Sequence, residues 1–369
     1  VPSILLDTYI FTKPAGGMAK VTAYLYNEIF RLLGEDAKIQ GISPKALNPA
    51  SPPMGLSNHV LPLPLGRETW RSLVLPFYSR WHPHELIHFP ANGLIPAGLP
   101  SSSKIVSTLH DVLQLDIDDF YTPERAEKRQ DYIQRLTRDL ARTDLLITIS
   151  DYSKQRILHH FPTLSYDPIV IPNAPTLHRP DGLSPQWELK PETAYFLYTG
   201  RYEKRKGLEW FLDSFLEGHR QQKLHSRLIL TGESAFISEA FSEKVKTAKA
   251  LGVLEERGYV SDAEMCQLMN QAVALVYPSF AEGFGLPPLE AMTLYCPVIT
   301  TALTALPFTC GPAAHYVDPQ APESLLNALC RLEQDAPYRR QLIEAGLKQI
   351  QYFSWTRSAE AFLAAVSKA

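Results

Sequence analysis

The residues best placed to do chemistry lie in two short stretches of the chain's second half. Glu282 to Glu290, EGFGLPPLE, sets two carboxylates eight positions apart around a Gly-Phe-Gly loop. The apolar run ALVYPS before it predicts a buried strand. Pro287 and Pro288 after it suit the first turn of a helix, where a missing N–H costs nothing. Upstream, Arg201-Tyr-Glu-Lys-Arg-Lys206-Gly207 gathers four basic residues between a strand end and a helix start. Free amides and the positive end of the helix dipole favour an anion there. Arginine adds a planar fork and lysine a point charge, so this loop can clamp a diphosphate. Two acceptors near a helix N-terminus suit a polyhydroxylated ligand, one on a sugar hydroxyl and the other on a ribose diol. A solvated basic loop and a dipole-compensating Glu290 remain the plainer readings of the same residues, but neither accounts for the glycine-flanked Glu282.

Two further strand ends belong to the first half. Gly16-Gly17 follows the first strand and precedes the first helix, where a backbone can approach a phosphate closely or simply turn tightly. His110-Asp111 ends the strand KIVSTLHD. With the basic loop these make three strand ends with small or charged residues, and EGFGLPPLE completes a set that predicts one ligand site at the carboxyl edges of parallel sheets. No GxxxxGK[ST] or GxGxxG pattern is present, which counts against a Walker loop and a dinucleotide cofactor. Two metal-like groupings carry little. Asp116-Ile117-Asp118 has no chelating partners in sight, and Pro83 breaks the spacing of His82, His84 and His88.

Those residues must be positioned by alternating strands and helices, and the pattern runs twice through the chain. It predicts an α/β protein with two parallel sheets. The 369 residues suffice for two cores. We expect an acceptor-side domain over 1–175, joined by a last helix over 353–369, and a donor-binding domain over 176–352. The helix Ala19–Leu33 shows Val21, Leu25, Ile29 and Leu32 as a core-facing stripe. The span 44–84 reads as a Pro-rich excursion, Ser150 as a helix cap, and 174–192, with four prolines, as the linker. A net charge of −3 argues against a nucleic-acid-binding surface. No run approaches roughly 18 apolar residues, and VPSILLDTYI lacks a basic leader, so a cytoplasmic protein is expected. The four cysteines, without CxxC spacing, are expected to be buried free thiols.

Taken together, these motifs resemble family 4 of the retaining glycosyltransferases. Gly16-Gly17, TLHD at Thr108–Asp111, ITISDYSKQRIL, VIPNAP, YTGRYEKRKG, GYVSD and EGFGLPPLEAM carry the resemblance along nearly the whole chain. It implies the GT-B fold, two Rossmann-like domains facing across a cleft, with FSWTRSAEAFL crossing back to the first. It also implies a nucleotide-sugar donor as co-substrate, with no cofactor and no metal. Arg201 and Lys206 would hold its diphosphate and Glu290 its ribose. Glu282, with the backbone of Gly283, Phe284, Gly285 and Leu286, would hold its sugar. Gly200 would line the site, the base would sit near Tyr259 and Val260, Gly17 would pack against phosphate, and His110 would reach the sugar. The catalytic set is then His110, Glu282, Arg201 and Lys206.

UDP-glucose is the first donor expected and GDP-mannose the second, with transfer to a saccharide or lipid-linked saccharide in polysaccharide synthesis. Membrane contact would be peripheral at most, at the inner face, and acceptors would enter along first-domain loops around Pro52 and His88–Asn92. Front-face substitution is favoured, because no carboxylate is convincingly placed under the anomeric carbon. Two departures stand out: Phe308 where relatives often have glutamate, and Lys20 where many have arginine. An epimerase, a phosphorylase or a sugar-nucleotide-binding relative without chemistry are the competing readings.

Overall fold

The structure is a computed structural model describing residues 2–13, 16–49, 52–91, 94–117, 126–188, 190, 192–233, 238–321 and 323–368. It divides into two compact units, Val1–Thr176 with Ser354–Ala369, and Leu177–Phe353. Asp118 and Asn92 lie outside the described residues.

The first unit holds a parallel sheet of β1 (Ile4–Asp7), β2 (Ile39–Ser43), β3 (Ser57–Val60), β4 (Leu86–Phe89), β5 (Lys104–Thr108), β6 (Leu145–Thr148) and β7 (Ile169–Val170). Their order is β3-β2-β1-β4-β5-β6-β7. Alternate residues of each strand serve opposite faces. Ile4 and Leu6 join Val106 and Ile147 under the helices Gly17–Leu33 and Trp355–Val366, while Leu5 joins Ile87 and Trp70 on the other side. The predicted stripe of the first helix is its core face: Val21 and Ile29 are buried, and Leu25 and Leu32 pack beside them. Ser150 caps its helix as expected, accepting from the Ser153 N–H.

The Pro-rich excursion is a correction. It contains β3 and a 15-residue helix, Arg67–Trp81, with Pro76 inside it. Trp70, Val74 and Tyr78, four apart, face the sheet, and the Trp70 indole donates to the Leu61 carbonyl at 2.9 Å. That packing offsets the backbone bond that a mid-helix proline removes.

The second unit repeats the plan with β8 (Tyr195–Thr199), β9 (Arg227–Thr231), β10 (Leu254–Gly258), β11 (Ala274–Tyr277), β12 (Val298–Thr301) and β13 (Ala314–Val317). Their order is β10-β9-β8-β11-β12-β13, again all parallel. Phe196 and Tyr198 point to one core, Tyr195 and Leu197 to the other. The expected linker is tied down over its first half. Leu177 is buried, and Arg179 stacks 4.1 Å from the Tyr295 ring centroid and donates twice to the Thr293 carbonyl. Cys266, Cys296 and Cys310 are buried and Cys330 half-buried, all as free thiols. Among the described residues no helix is long and apolar enough to cross a membrane.

Candidate active site

In the second unit the strand order reverses between β8 and β11, and ligands of open parallel sheets sit outside the carboxyl ends at such a point. The two loops that leave these strands are bound to each other. Gly207, at φ 68°, lets the basic loop press on the end of β11, since a Cβ there would lie 2.1 Å from the Pro278 carbonyl oxygen. The Phe280 N–H donates to the Arg205 carbonyl at 2.7 Å, which fixes the register.

This contact turns Lys206 inward. Its Nζ donates to Tyr277 Oη at 2.5 Å and to Glu282 Oε1 at 2.6 Å, and lies 4.7 Å from the Tyr277 ring centroid. Arg205 comes from the other side, with Nη1 2.9 Å from the Ala281 carbonyl and 3.5 Å from Glu282 Oε1. Its Nε donates to Glu203 at 2.9 Å. Burial alone would raise the Glu282 carboxyl, but Lys206 and Arg205 overcome it and hold the group below the usual carboxylate range. Burial lowers the Lys206 ammonium from its ordinary value, and the Glu282 carboxylate opposes that shift. The result is a buried cation–carboxylate cluster whose members cannot separate without cost.

The rest of the motif is held from behind. The Glu282 N–H donates to Thr304 Oγ1 at 2.9 Å, and the Thr309 hydroxyl donates to the Phe284 carbonyl. Gly285 takes φ 97° as the N-cap of the helix Leu286–Thr293, whose first turn contains both prolines. Glu290 is buried one turn in. Phe308 meets Phe284 and Phe353 edge-on at 6.4 and 5.8 Å between centroids. Its ring therefore packs under the glycine loop instead of supplying a polar contact.

The remaining site residues are placed as follows. Arg201 is largely exposed, 3.3 Å from Glu203, just after Gly200 at the end of β8. Tyr259 is exposed and Val260 half-buried after β10. Gly17 opens the first helix of the other unit. His110, also in that unit, is buried with Nε2 3.2 Å from the Pro90 carbonyl, and burial pushes it down to about 4. His88 is a structural histidine, bonded to Tyr26 Oη at 2.7 Å and Thr108 Oγ1 at 2.9 Å. Asp116 pairs with Arg156 and His160, both at 2.6 Å. Among the described residues no His, Cys, Asp or Glu group can hold a metal ion.

The structure thus brings Lys206 and Glu282 together and adds Arg205, Tyr277 and Thr304, which the sequence reading missed. Arg205 stood in the basic loop in plain view, but spacing within a loop does not reveal which cation turns inward.

Residues 193–335 match the family model described as Glycosyl transferases group 1. The chain is 29% identical over 263 residues to O-antigen chain mannosyltransferase B of Escherichia coli, covering 68% of this chain and 67% of that protein. It is 26% identical over 273 residues to O-antigen chain mannosyltransferase RfbU of Salmonella typhimurium, covering 72% of each. Sucrose-phosphate synthase of Thermosynechococcus elongatus superposes with a TM-score of 0.75 at 20% identity, over 100% of this chain and 99% of that one. The architecture of the two units is that of the GT-B fold.

Proposed function

We propose that this chain, a glycosyltransferase of group 1, moves a mannosyl residue from GDP-mannose to a saccharide acceptor in surface polysaccharide synthesis. The observation that carries the reading is the buried Arg205–Lys206–Glu282 cluster at the strand-order reversal, beside the Gly-Phe-Gly turn into a helix. Mannose is preferred because both O-antigen relatives are named mannosyltransferases. UDP-glucose, the first expectation from sequence, becomes the second donor to try.

In this reading Arg201 and Lys206 meet the diphosphate. Two of the three Lys206 donors are engaged by Tyr277 and Glu282, so one remains for a phosphate oxygen. As the sugar leaves, negative charge grows on that phosphate, and fixed cations and helix-end amides stabilise it without a metal. Glu282 orients the sugar and Lys206 together, while Glu290 takes the ribose. His110, kept neutral by burial, is a hydrogen-bonding group rather than a cation. Configuration is retained by front-face substitution. Localisation at the cytoplasmic membrane face belongs to the same reading.

The test is release of nucleoside diphosphate from GDP-mannose and UDP-glucose by the whole chain, with and without EDTA. Turnover of GDP-mannose that survives EDTA is expected, with an α-linked product by NMR. Turnover of UDP-glucose alone would overturn the donor, loss of activity in EDTA restored by Mn²⁺ would overturn metal independence, and a β-linked product would overturn retention.

A further inference from the structure

The same strand-order reversal in the first unit, between β1 and β4, carries a second charged cluster that the donor site does not use. Asp7 ends β1 and forms a buried ion pair with Arg71 from the helix Arg67–Trp81. One turn earlier on that helix, Arg67 lies 4.6 Å from the Tyr9 ring centroid, and Arg71 lies 5.4 Å from the same ring. Arg135, from the helix Ala126–Leu140, is near enough to Arg67 for the two charges to repel. Arg67 and Arg71 therefore share the one carboxylate of Asp7, while Arg135 is drawn to Asp139. The next acid, Asp139, already accepts the N–H groups of Leu94 and Ile95 at 2.7 and 3.1 Å.

Two observations show that, among the described residues, this cluster has donors left over for an anion. The Nε of Arg67 and the Nε of Arg135 are buried and have no hydrogen-bond partner among the described residues. Such buried donors are rare and call for an acceptor. In addition, Arg67 is the first residue of its helix, and Gly66 before it supplies no side-chain cap. The first amides of that helix point the same way as its dipole, toward an anion.

We propose that Arg67, Arg71 and Arg135 form a phosphate site in the first unit, which holds the phosphate or diphosphate of an anionic acceptor. Forked donors and helix-end amides fit a tetrahedral oxyanion with two negative charges. Calling the ligand an acceptor rests on the glycosyltransferase reading; the oxyanion site does not. The phosphate can come from a soluble phosphorylated sugar or from a lipid carrier. Further along the same helix Leu73, Phe77 and Trp81 are exposed, and an apolar chain would have a surface to follow there.

The experiment is calorimetric binding of inorganic pyrophosphate and of geranyl diphosphate to the full chain, with the donor site saturated by GDP. Wild type should bind both. Arg67→Gln and Arg135→Gln should each weaken binding roughly tenfold or more, the worth of a charge-assisted bond, with GDP affinity unchanged. Arg67→Lys and a melting curve for each variant separate lost binding from lost folding. Wild type binding neither probe, or folded variants binding both as tightly as wild type, would overturn the site. Tighter binding of geranyl diphosphate, lost in Leu73→Ser/Phe77→Ser, supports the site with a lipid source, and equal binding supports it with a soluble one. Failure to bind GDP or turn over GDP-mannose would strike the donor reading and leave these comparisons intact.

Discussion

The two units reverse strand order at equivalent places, β1/β4 and β8/β11, and each puts a buried arginine or lysine on a carboxylate there. The sources of the charges differ. In the second unit Arg205, Lys206 and Glu282 all come from the two loops that leave neighbouring strands, so the cluster is made by loop-to-loop contact. In the first unit Asp7 ends a strand, but Arg67 and Arg71 arrive on one helix and Arg135 on another. A parallel sheet thus fixes where a polar site can form, while the loops and helices around it decide what charge it has.

The largest effect expected from breaking one side of this comparison is on turnover. Glu282→Ala removes the carboxylate that orients Lys206, and should lower the rate of nucleoside diphosphate release by about 10²–10³-fold, as loss of an electrostatic group at the reacting centre does. An unchanged rate would sink the assignment of Glu282. Asp7→Ala should act on stability. It strands Arg71, which is 2% exposed, at a cost of about 3–5 kcal/mol. The urea midpoint of the first unit reads this directly, and a midpoint within error of wild type would mean that Arg71 finds other company.

Legibility followed the same division. The β8 and β11 loops could be read because a strand, a turn and a helix follow one another within a few residues, each with its own signal. YTGRYEKRKG and EGFGLPPLE therefore identified their positions without any contact information. The first-unit cluster could not be read that way. Its helix was hidden by Pro76, which argues locally against a helix while Trp70, Val74 and Tyr78 argue for one through packing. Asp7 and Arg71 are brought together only by the strand order of a sheet that no local pattern specifies. Arg205 fell between these cases, since its loop was identified and its rotamer was not.

Gly207→Ala tests the loop-to-loop contact. At φ 68°, with a Cβ 2.1 Å from the Pro278 oxygen, any side chain forces the two loops apart, at a cost of about 1–3 kcal/mol for the backbone strain alone. Melting temperature and nucleotide affinity should fall together. A fall in one without the other would show that the contact holds the fold or the site, but not both.

The pH dependence of the first unit should expose its two buried histidines. Burial lowers His88 to about 3 and His110 to about 4, whereas the unfolded chain titrates near 6.5. As pH falls below roughly 6.5 the unfolded state takes up protons that the folded state does not, so stability drops on the acid side. The slope is at most about 1.4 kcal/mol per pH unit for each histidine. Hydrogen exchange in β4 and β5 between pH 7 and pH 5 measures it, and His88→Gln should remove about half. A first unit equally protected at both pH values would mean that the histidines are protonated when folded.

The smallest stability effect should come from Gly17→Ala, and it separates a glycine needed by the chain from one needed by a ligand. A Cβ at Gly17 meets no atom within 4 Å, in contrast to Gly207. Gly17 is also the first residue of its helix, where alanine is favoured over glycine by roughly 0.5–1 kcal/mol at most. Melting temperature should therefore hold or rise slightly. If donor phosphate packs against this turn, turnover should still fall, because the methyl group occupies the space where the phosphate lies against the backbone. A variant as stable and as active as wild type would show that Gly16-Gly17 is only a turn, and would leave the first unit's interaction with phosphate to its arginines.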